Sequence, residues 1–447
     1  MANFLVAGAG HGGLCAALHL AKAGEQVTVV EQKPRQSLGY DWTDAVERGV
    51  LVRNGFRDLP EENTETYYNA AMFGPAKRWP NLPKEPTIPR QMHAERRELL
   101  ATMLADCYEV GVEFAFETEI IGPTVKDGRV TGVRVRDTVS HGQDGERELA
   151  ADVVIDAAGW QSPVRMGLPK EFLIPAQLDP TQIFYVWRGF LNRLPGPDPE
   201  LRSKYYLGHR GRKGLSWVIA NHESMDVLLG NIGQALTEED IAAGLADLRE
   251  DNPLLGKKLL RGGQQATIPL RRPLGMLVAA GYAAVGDSAC MTDPLGGSGV
   301  GSAMDQGKVL SNVLLEHCQG DFSLAKLWKY QYRTFTEKPA AEVGFATATA
   351  QDRAATEVLK STILAMNPKQ LDLLFRRGII AMGAPKGPKD AIKVLLHNLD
   401  HLPLVFRLAK MGGRSTKLKE IVRNIPGEYD ADAVAEWGRA YEGFQMA

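Results

Sequence analysis

Cysteine is scarce in this chain: Cys15, Cys107, Cys290 and Cys318 are the only four in 447 residues, and no two are close enough for a C-x-x-C pair or a metal-type cluster. That spacing suggests neither a disulfide framework nor a zinc site, and a reducing, cytoplasmic setting is expected. Long apolar runs are missing too. No stretch reaches the roughly 18 uncharged apolar residues of a spanning helix, and no basic segment precedes the first apolar run, so neither membrane insertion nor secretion is expected. Charge of one sign is also lacking. With 52 Lys and Arg against 54 Asp and Glu the net charge is −2, which argues against bulk attraction to nucleic acid and makes any basic surface local. At 44% hydrophobic, the composition is that of a globular protein with room for about two or three domains.

Glycine is present where it carries information. Phe4-Leu5-Val6-Ala7 runs into Gly8-Ala9-Gly10-His11-Gly12-Gly13, and after Val27-Thr28-Val29-Val30 the next acid is Glu31. The order is strand, glycine turn, helix, strand, acid. Gly8 permits the tight turn, Gly10 lets the backbone approach a pyrophosphate, and Gly13 lets the helix pack on the strand, while the helix N-terminus offers free N–H groups. Glu31 is placed to accept ribose hydroxyls. A glycine turn in an ordinary βαβ unit would not need all of these parts together, so a dinucleotide site is expected.

Further along, residues 33–60 read as an extended loop around Gly39–Asp44, and Arg96-Arg97-Glu98-Leu99 opens a helix running through Tyr108. Arg129–Arg136 and Arg147–Ala150 form a hairpin around the tip 140–145, and Val153-Val154-Ile155-Asp156 is a buried parallel strand ending in Ala157–Arg165. Residues 180–270 alternate as an antiparallel sheet with one helix near Thr237–Leu248. Tyr282–Val285 is a short strand entering Gly286-Asp287-Ser288-Ala289-Cys290, and Pro294–Val300 leads into a helix. Beyond Phe322 the pattern is helical, with breaks expected at 383–388 and at Gly412-Gly413.

Three loops distant in sequence share the chemistry of a flavin site. Asp287 brings a carboxylate to a turn beside the first glycine loop, suited to a ribityl or ribose hydroxyl. Gly296, Gly297 and Gly299 open a helix whose N–H groups suit a ring that becomes anionic on reduction. With these residues the chain resembles the flavoprotein superfamily that contains geranylgeranyl reductases, aromatic-ring hydroxylases and flavin-dependent halogenases. The resemblance covers about residues 1–315. It implies an α/β fold: a Rossmann-like, glutathione-reductase-type FAD-binding domain (1–165 and 270–320), an inserted antiparallel-sheet substrate domain (166–269) and a C-terminal helical region (321–447). It also implies that Gly8, Gly10, Gly13 and Glu31 hold the ADP half of FAD, that Arg96 contacts the flavin side, that Gly159 belongs to a further cofactor loop, and that Asp287 binds the ribityl chain. Pro294, Gly297, Gly299 and Val300 would lie beside the ring. Ala158, where hydroxylases carry an aspartate, and Ile268–Pro273 lean toward the reductase branch.

The expected activity is reduction of carbon–carbon double bonds in an isoprenoid or another hydrophobic small molecule. The alternatives are a monooxygenase and a non-catalytic prenyl-protein escort. No second G-x-G-x-x-G follows, so electrons are expected from transiently bound NAD(P)H or from ferredoxin. Cys290 is a candidate proton donor, with a small buried residue as the plain alternative. Asp41, beside Trp42 and Asp44, is a second candidate acid, although Asp41 or Asp44 capping a helix over Ala45–Glu47 is the simpler expectation. Trp160, Trp187 and Trp217 either line an apolar pocket or fill the core. Between Pro385 and Asn424 nine Lys or Arg face three acids among many apolar residues. That tail either packs with a solvated basic face or makes peripheral membrane contact.

Overall fold

The computed structural model describes residues 1–60, 64–65, 70–74, 91–138, 145–337, 349–376 and 401–445. The central six-stranded sheet runs, edge to edge, Val278–Ala279, Tyr282–Ala284, Val153–Asp156, Asn3–Ala7, Gln26–Val30 and Glu113–Ala115. All neighbours are parallel except the terminal 278–279/282–284 hairpin. The uninterrupted apolar composition of these strands follows from burial on both faces; Val6, Ala7, Val154 and Ile155 are fully covered. Strand Asn3–Ala7 sits between Gln26–Val30 and Val153–Asp156, so its C-terminal end marks the switch point of the sheet, where such folds place their ligands.

A second six-stranded sheet runs Leu255–Pro269, Ile183–Arg193, Ser224–Ile232, Leu215–Ala220, Ser203–Leu207 and Ala70–Phe73. It is antiparallel apart from the last pair. The short edge strand Ala70–Phe73 comes from the N-terminal part of the chain, a connection that composition did not reveal. Register shifts beside Arg188 and Phe190 bend the Ile183–Arg193 strand. Two smaller three-stranded sheets complete the strands: Thr118–Lys126 with Arg129–Asp137 and Glu146–Ala150, and Gln91–Glu95 with Thr43–Glu47 and Thr64–Glu65. The C-terminal part is helical: Leu324–Thr336, Ala350–Leu364, Pro368–Arg376, Leu402–Arg423 and Ala431–Glu442. The architecture is thus the α/β arrangement expected, with a parallel Rossmann-like sheet, an antiparallel sheet and C-terminal helices.

Two local expectations are corrected. Residues 43–47 form a strand paired with Gln91–Glu95, not a capped helix. Asp44 is clamped by Arg96 and so takes no capping role. Helix Leu402–Arg423 passes unbroken through Gly412-Gly413, since burial of Leu404, Leu418 and Val422 outweighs the cost of about 1 kcal/mol per glycine. The expected break at 383–388, most of the hairpin tip 140–145 and the portion of the basic tail at 385–400 lie outside the described residues. Among the described residues no helix is long and apolar enough to cross a membrane.

Candidate active site

The glycine loop is built by backbone proximity. Gly8 has φ +94°, and a Cβ there would meet the Ala157 carbonyl oxygen at 2.8 Å. A Cβ on Gly13 would lie 2.7 Å from Ala157 Cβ and 2.8 Å from both Gly8 O and Val6 Cγ1. Only glycine allows helix His11–Lys22 to lie this close to the strands. Gly10 caps that helix without a side-chain partner, which leaves first-turn N–H groups directed out of the helix end. Glu31 Oε2 accepts from Ala9 N–H at 3.0 Å and Oε1 from Lys33 N–H at 2.9 Å, which fixes the carboxylate at the loop's entrance.

The loops expected beside it converge at the same sheet edge. Asp156, fully buried, accepts from Tyr282 Oη at 2.8 Å, Ser162 Oγ at 2.6 Å and Ala158 N–H at 3.1 Å. Ser288 Oγ lies 2.9 Å from Asp156 Oδ1 and 3.0 Å from the carbonyl oxygen of Gly159, so one carboxylate ties the 156–162 and 286–289 turns together. Asp287 Oδ1 accepts from Thr292 Oγ1 at 2.5 Å. Burial raises the Asp287 carboxyl above its ordinary value, against the pull of Thr292 and Arg96. The turn into the next helix is fixed by Asp293, whose Oδ1 accepts from Leu295 N–H at 3.0 Å and Gly296 N–H at 2.6 Å. Gly297 follows at φ +70°, and Gly299 caps helix Val300–Asn312. Asp293 escaped the sequence reading although Asp-Pro is a turn signal.

Arg96 joins the two halves of the site. It donates to Asp44 through Nε at 2.5 Å and Nη2 at 2.8 Å, lies 5.4 Å from the ring centres of Tyr40 and Trp42, and is within electrostatic reach of Asp287. Burial pushes the Asp44 carboxyl upward, but Arg96, His11 and Arg188 more than offset this and hold it below its ordinary value. His11, in the glycine loop, is pushed down to about 4 by burial and by Arg96, against the opposing pull of Asp44. Its Nε2 is buried with no partner among the described residues.

The antiparallel sheet faces the 39–44 loop with a buried ion pair absent from the sequence reading. Arg188 donates to Asp226 through Nε at 2.9 Å and Nη2 at 2.5 Å, and to the Thr43 carbonyl through Nη1 at 2.5 Å. Arg188 and Asp226 were visible as single charges inside the apolar runs Ile183–Phe190 and Met225–Leu229. Trp217 lies beside them, with the Arg188 guanidinium 5.1 Å from its ring centre, and its Nε1 is buried without a partner among the described residues. Trp42, Phe184, Phe190 and Leu228 form the surrounding apolar cluster. Asp41 is spent on the sheet: Arg261 Nη1 and Gly262 N–H each donate to it at 3.2 Å, and its own N–H donates to Gln264 Oε1 at 2.8 Å. Trp187 belongs to the core of the sheet, and Trp160 Nε1 donates to Thr267 Oγ1 at 2.7 Å. Cys290 is fully covered, has φ +57°, and its thiol is pushed up to about 12, by burial first, with Arg271 and Arg165 opposing.

With this geometry in view, the likenesses to known proteins fall into place. Residues 3–160 match the family model of FAD dependent oxidoreductases. The digeranylgeranylglycerophospholipid reductase of Sulfolobus acidocaldarius is 24% identical over 446 residues, covering 95% of this chain and 93% of that protein. Among solved structures, a geranylgeranyl bacteriochlorophyll reductase-like protein from Thermoplasma acidophilum aligns with TM-score 0.69 at 19% identity, over 92% of this chain and 99% of the other. A myxobacterial chondrochloren halogenase aligns with TM-score 0.57 at 16% identity, over 99% of this chain and 97% of the other. At these identities the structures show a shared fold. The residues present fit the cofactor: a glycine cradle that a Cβ would fill, free helix N–H groups, a fixed acid at Glu31, and the unpartnered His11 Nε2. The chain is thus similar over residues 3–160 to FAD dependent oxidoreductases, and along nearly its whole length to a digeranylgeranylglycerophospholipid reductase.

Proposed function

We propose that this enzyme reduces carbon–carbon double bonds in an isoprenoid or another hydrophobic small molecule. The observation that carries the proposal is the likeness to a digeranylgeranylglycerophospholipid reductase over 95% of the chain. Bound FAD supplies two-electron hydride chemistry. Gly8, Gly10, Gly13 and Glu31 would hold its ADP half, Asp287 its ribityl chain and Gly159 a further part of it, and Pro294, Gly297, Gly299 and Val300 would lie beside the ring, with Arg96 on the flavin side. Trp42, Phe184 and Phe190 pack as a buried apolar cluster, and Trp217, half-buried beside it, would orient the substrate. Asp41 holds the 39–44 loop on the sheet through Arg261, a positioning role. Cys290 is fully covered and burial makes its thiol a weaker acid, which favours a small buried residue over a proton donor; Cys290→Ala with reduced turnover would return it to the mechanism.

NAD(P)H or a ferredoxin supplies the electrons, and a steady-state assay with NADH, NADPH and reduced ferredoxin separates them. Peripheral contact between the basic helix Leu402–Arg423 and a membrane belongs to the same reading. The fold shared with the halogenase keeps an oxygen-using reaction as the second reading. Anaerobic turnover discriminates: a reductase proceeds, whereas an oxygen-using enzyme stalls.

A further inference from the structure

A single row of side chains crosses the antiparallel sheet on the side that faces the 39–44 loop. Strand register places Tyr205 opposite Trp217, Trp217 opposite Leu228, Leu228 opposite Arg188 and Arg188 opposite Gln264. Directly opposed residues share a face, so these side chains stand together. Arg188 is committed to Asp226 and Thr43, and Gln264 to the Asp41 N–H. The two aromatic members keep donors in hand. Among the described residues, Trp217 Nε1 is buried without an acceptor and the Tyr205 hydroxyl makes no hydrogen bond. Their rings meet edge to face, with centres 6.1 Å apart and planes at 67°.

Buried tyrosine and tryptophan ordinarily spend these donors on a partner, because an unmade bond costs the full desolvation of the group. An indole Nε1 can only donate. Burial, with Asp226 adding to it, pushes the Tyr205 phenol up to about 12 against the pull of Arg188, so it too keeps its proton and donates. What the row lacks is an acceptor. Charge decides its type: Asp226 answers Arg188 at 2.5 Å, and around them lie Trp42, Phe184, Phe190 and Leu228. That pair leaves no net positive charge for an anion, and the apolar neighbours favour a neutral oxygen.

We propose that Tyr205 and Trp217 donate to a carbonyl oxygen of the substrate, and that this carbonyl is conjugated to the double bond being reduced. The inference rests on the carbon–carbon reductase reading and narrows it to α,β-unsaturated carbonyl compounds with an apolar body. A hydride added to an isolated double bond leaves an unstabilised carbanion, whereas in a conjugated system the displaced π electrons move onto oxygen. Reduced FAD supplies the hydride to the β-carbon, the π pair shifts toward the carbonyl, and the negative charge arrives at the oxygen held by the two donors. A proton from solvent then adds at the α-carbon and restores the carbonyl, leaving a saturated ketone and oxidised FAD.

The test uses the FAD-loaded full chain without oxygen and two probes of equal length: dodecenone, an α,β-unsaturated methyl ketone isotopically labelled at its carbonyl carbon, and dodecene. Equilibrium dialysis against the oxidised enzyme is expected to show dodecenone bound roughly tenfold or more tightly than dodecene. The infrared carbonyl stretch of bound dodecenone lies at lower frequency than in a hydrocarbon solvent. Tyr205→Phe and Trp217→Phe keep a ring and remove one donor each. Each is expected to reverse part of that shift and to slow reoxidation of the reduced flavin by dodecenone roughly a hundredfold, with retained flavin absorbance reporting a folded variant. A purely structural role for either ring would lower stability without moving the stretch. No preference for dodecenone, or a bound stretch unchanged in both variants, overturns the proposal. Reduction of an unconjugated polyprenyl chain with dodecenone left unreduced overturns it as well and leaves the reductase reading intact. Bound dodecenone with the shifted stretch but no gain of hydrogen supports the carbonyl site and removes the reductase reading instead.

Discussion

The two faces of the candidate site are made of different material. On the parallel-sheet face the groups that we assign to the cofactor are backbone N–H donors, brought close by glycines whose Cβ would collide with the Ala157 backbone or side chain. On the antiparallel-sheet face they are side chains joined across long sequence distances: Arg188 to Asp226 and Thr43, and Arg261 to Asp41 and Glu95. The first face tolerates almost no added atom, whereas the second tolerates shape changes and depends on charge balance. Damage to the first should release the cofactor; damage to the second should loosen the protein and the substrate side while the cofactor stays.

The largest effect is expected from Asp226→Ala. It deprives the buried Arg188 guanidinium of its carboxylate, at a cost of about 3–5 kcal/mol, read as a fall in the thermal midpoint with flavin absorbance retained at low temperature. Loss of FAD with an unchanged midpoint would break the comparison from this side. Gly13→Val forces atoms into contacts already at 2.7–2.8 Å for a bare Cβ and costs about 3 kcal/mol, with the purified protein colourless. A yellow, fully loaded Gly13→Val enzyme would break it from the other side.

Glu31→Gln keeps the shape and removes the charge that anchors the loop and that we assign to a ribose. FAD affinity measured by fluorescence recovery is expected to fall about tenfold, or about 1.4 kcal/mol. A pH dependence, negligible at neutral pH and confined to acid conditions, comes last. Folding lowers the His11 imidazole from 6.5 to about 4, so between those values the unfolded chain binds a proton that the folded chain does not. Stability of the FAD-free protein therefore declines as pH drops from 6.5 to 4 and stops declining from this source below that. His11→Gln flattens this slope, visible as about 3–4 °C less variation in midpoint across the window; an identical slope in the variant would remove His11 as its origin.

The same contrast explains what was legible in the sequence. Gly8–Gly13 with Glu31, the strand Val153–Asp156 and the turn at Asp287 could be located because a backbone constraint demands particular residues at fixed spacing. Arg188 with Asp226 lies 38 positions apart, and Arg271 with Glu442 lies 171 apart. Such pairs obey no local spacing and are set only when strands and helices dock. The helix expected over Ala45–Glu47 failed for the same reason, since the partner strand Gln91–Glu95 and the clamp from Arg96 are distant in sequence. Gly412-Gly413 misled in the opposite direction, because tertiary burial on the far side of helix Leu402–Arg423 overrode two poor helix formers.

The most direct test of the proposed activity is a single-turnover reaction without oxygen. The FAD-loaded enzyme is reduced with dithionite, freed of excess reductant and mixed with a polyprenyl substrate, and flavin absorbance is followed alongside product mass. Reoxidation of the flavin with a gain of two hydrogens per reduced double bond is the predicted result. A flavin that stays reduced until oxygen is admitted, with oxygen then appearing in the product, would contradict it.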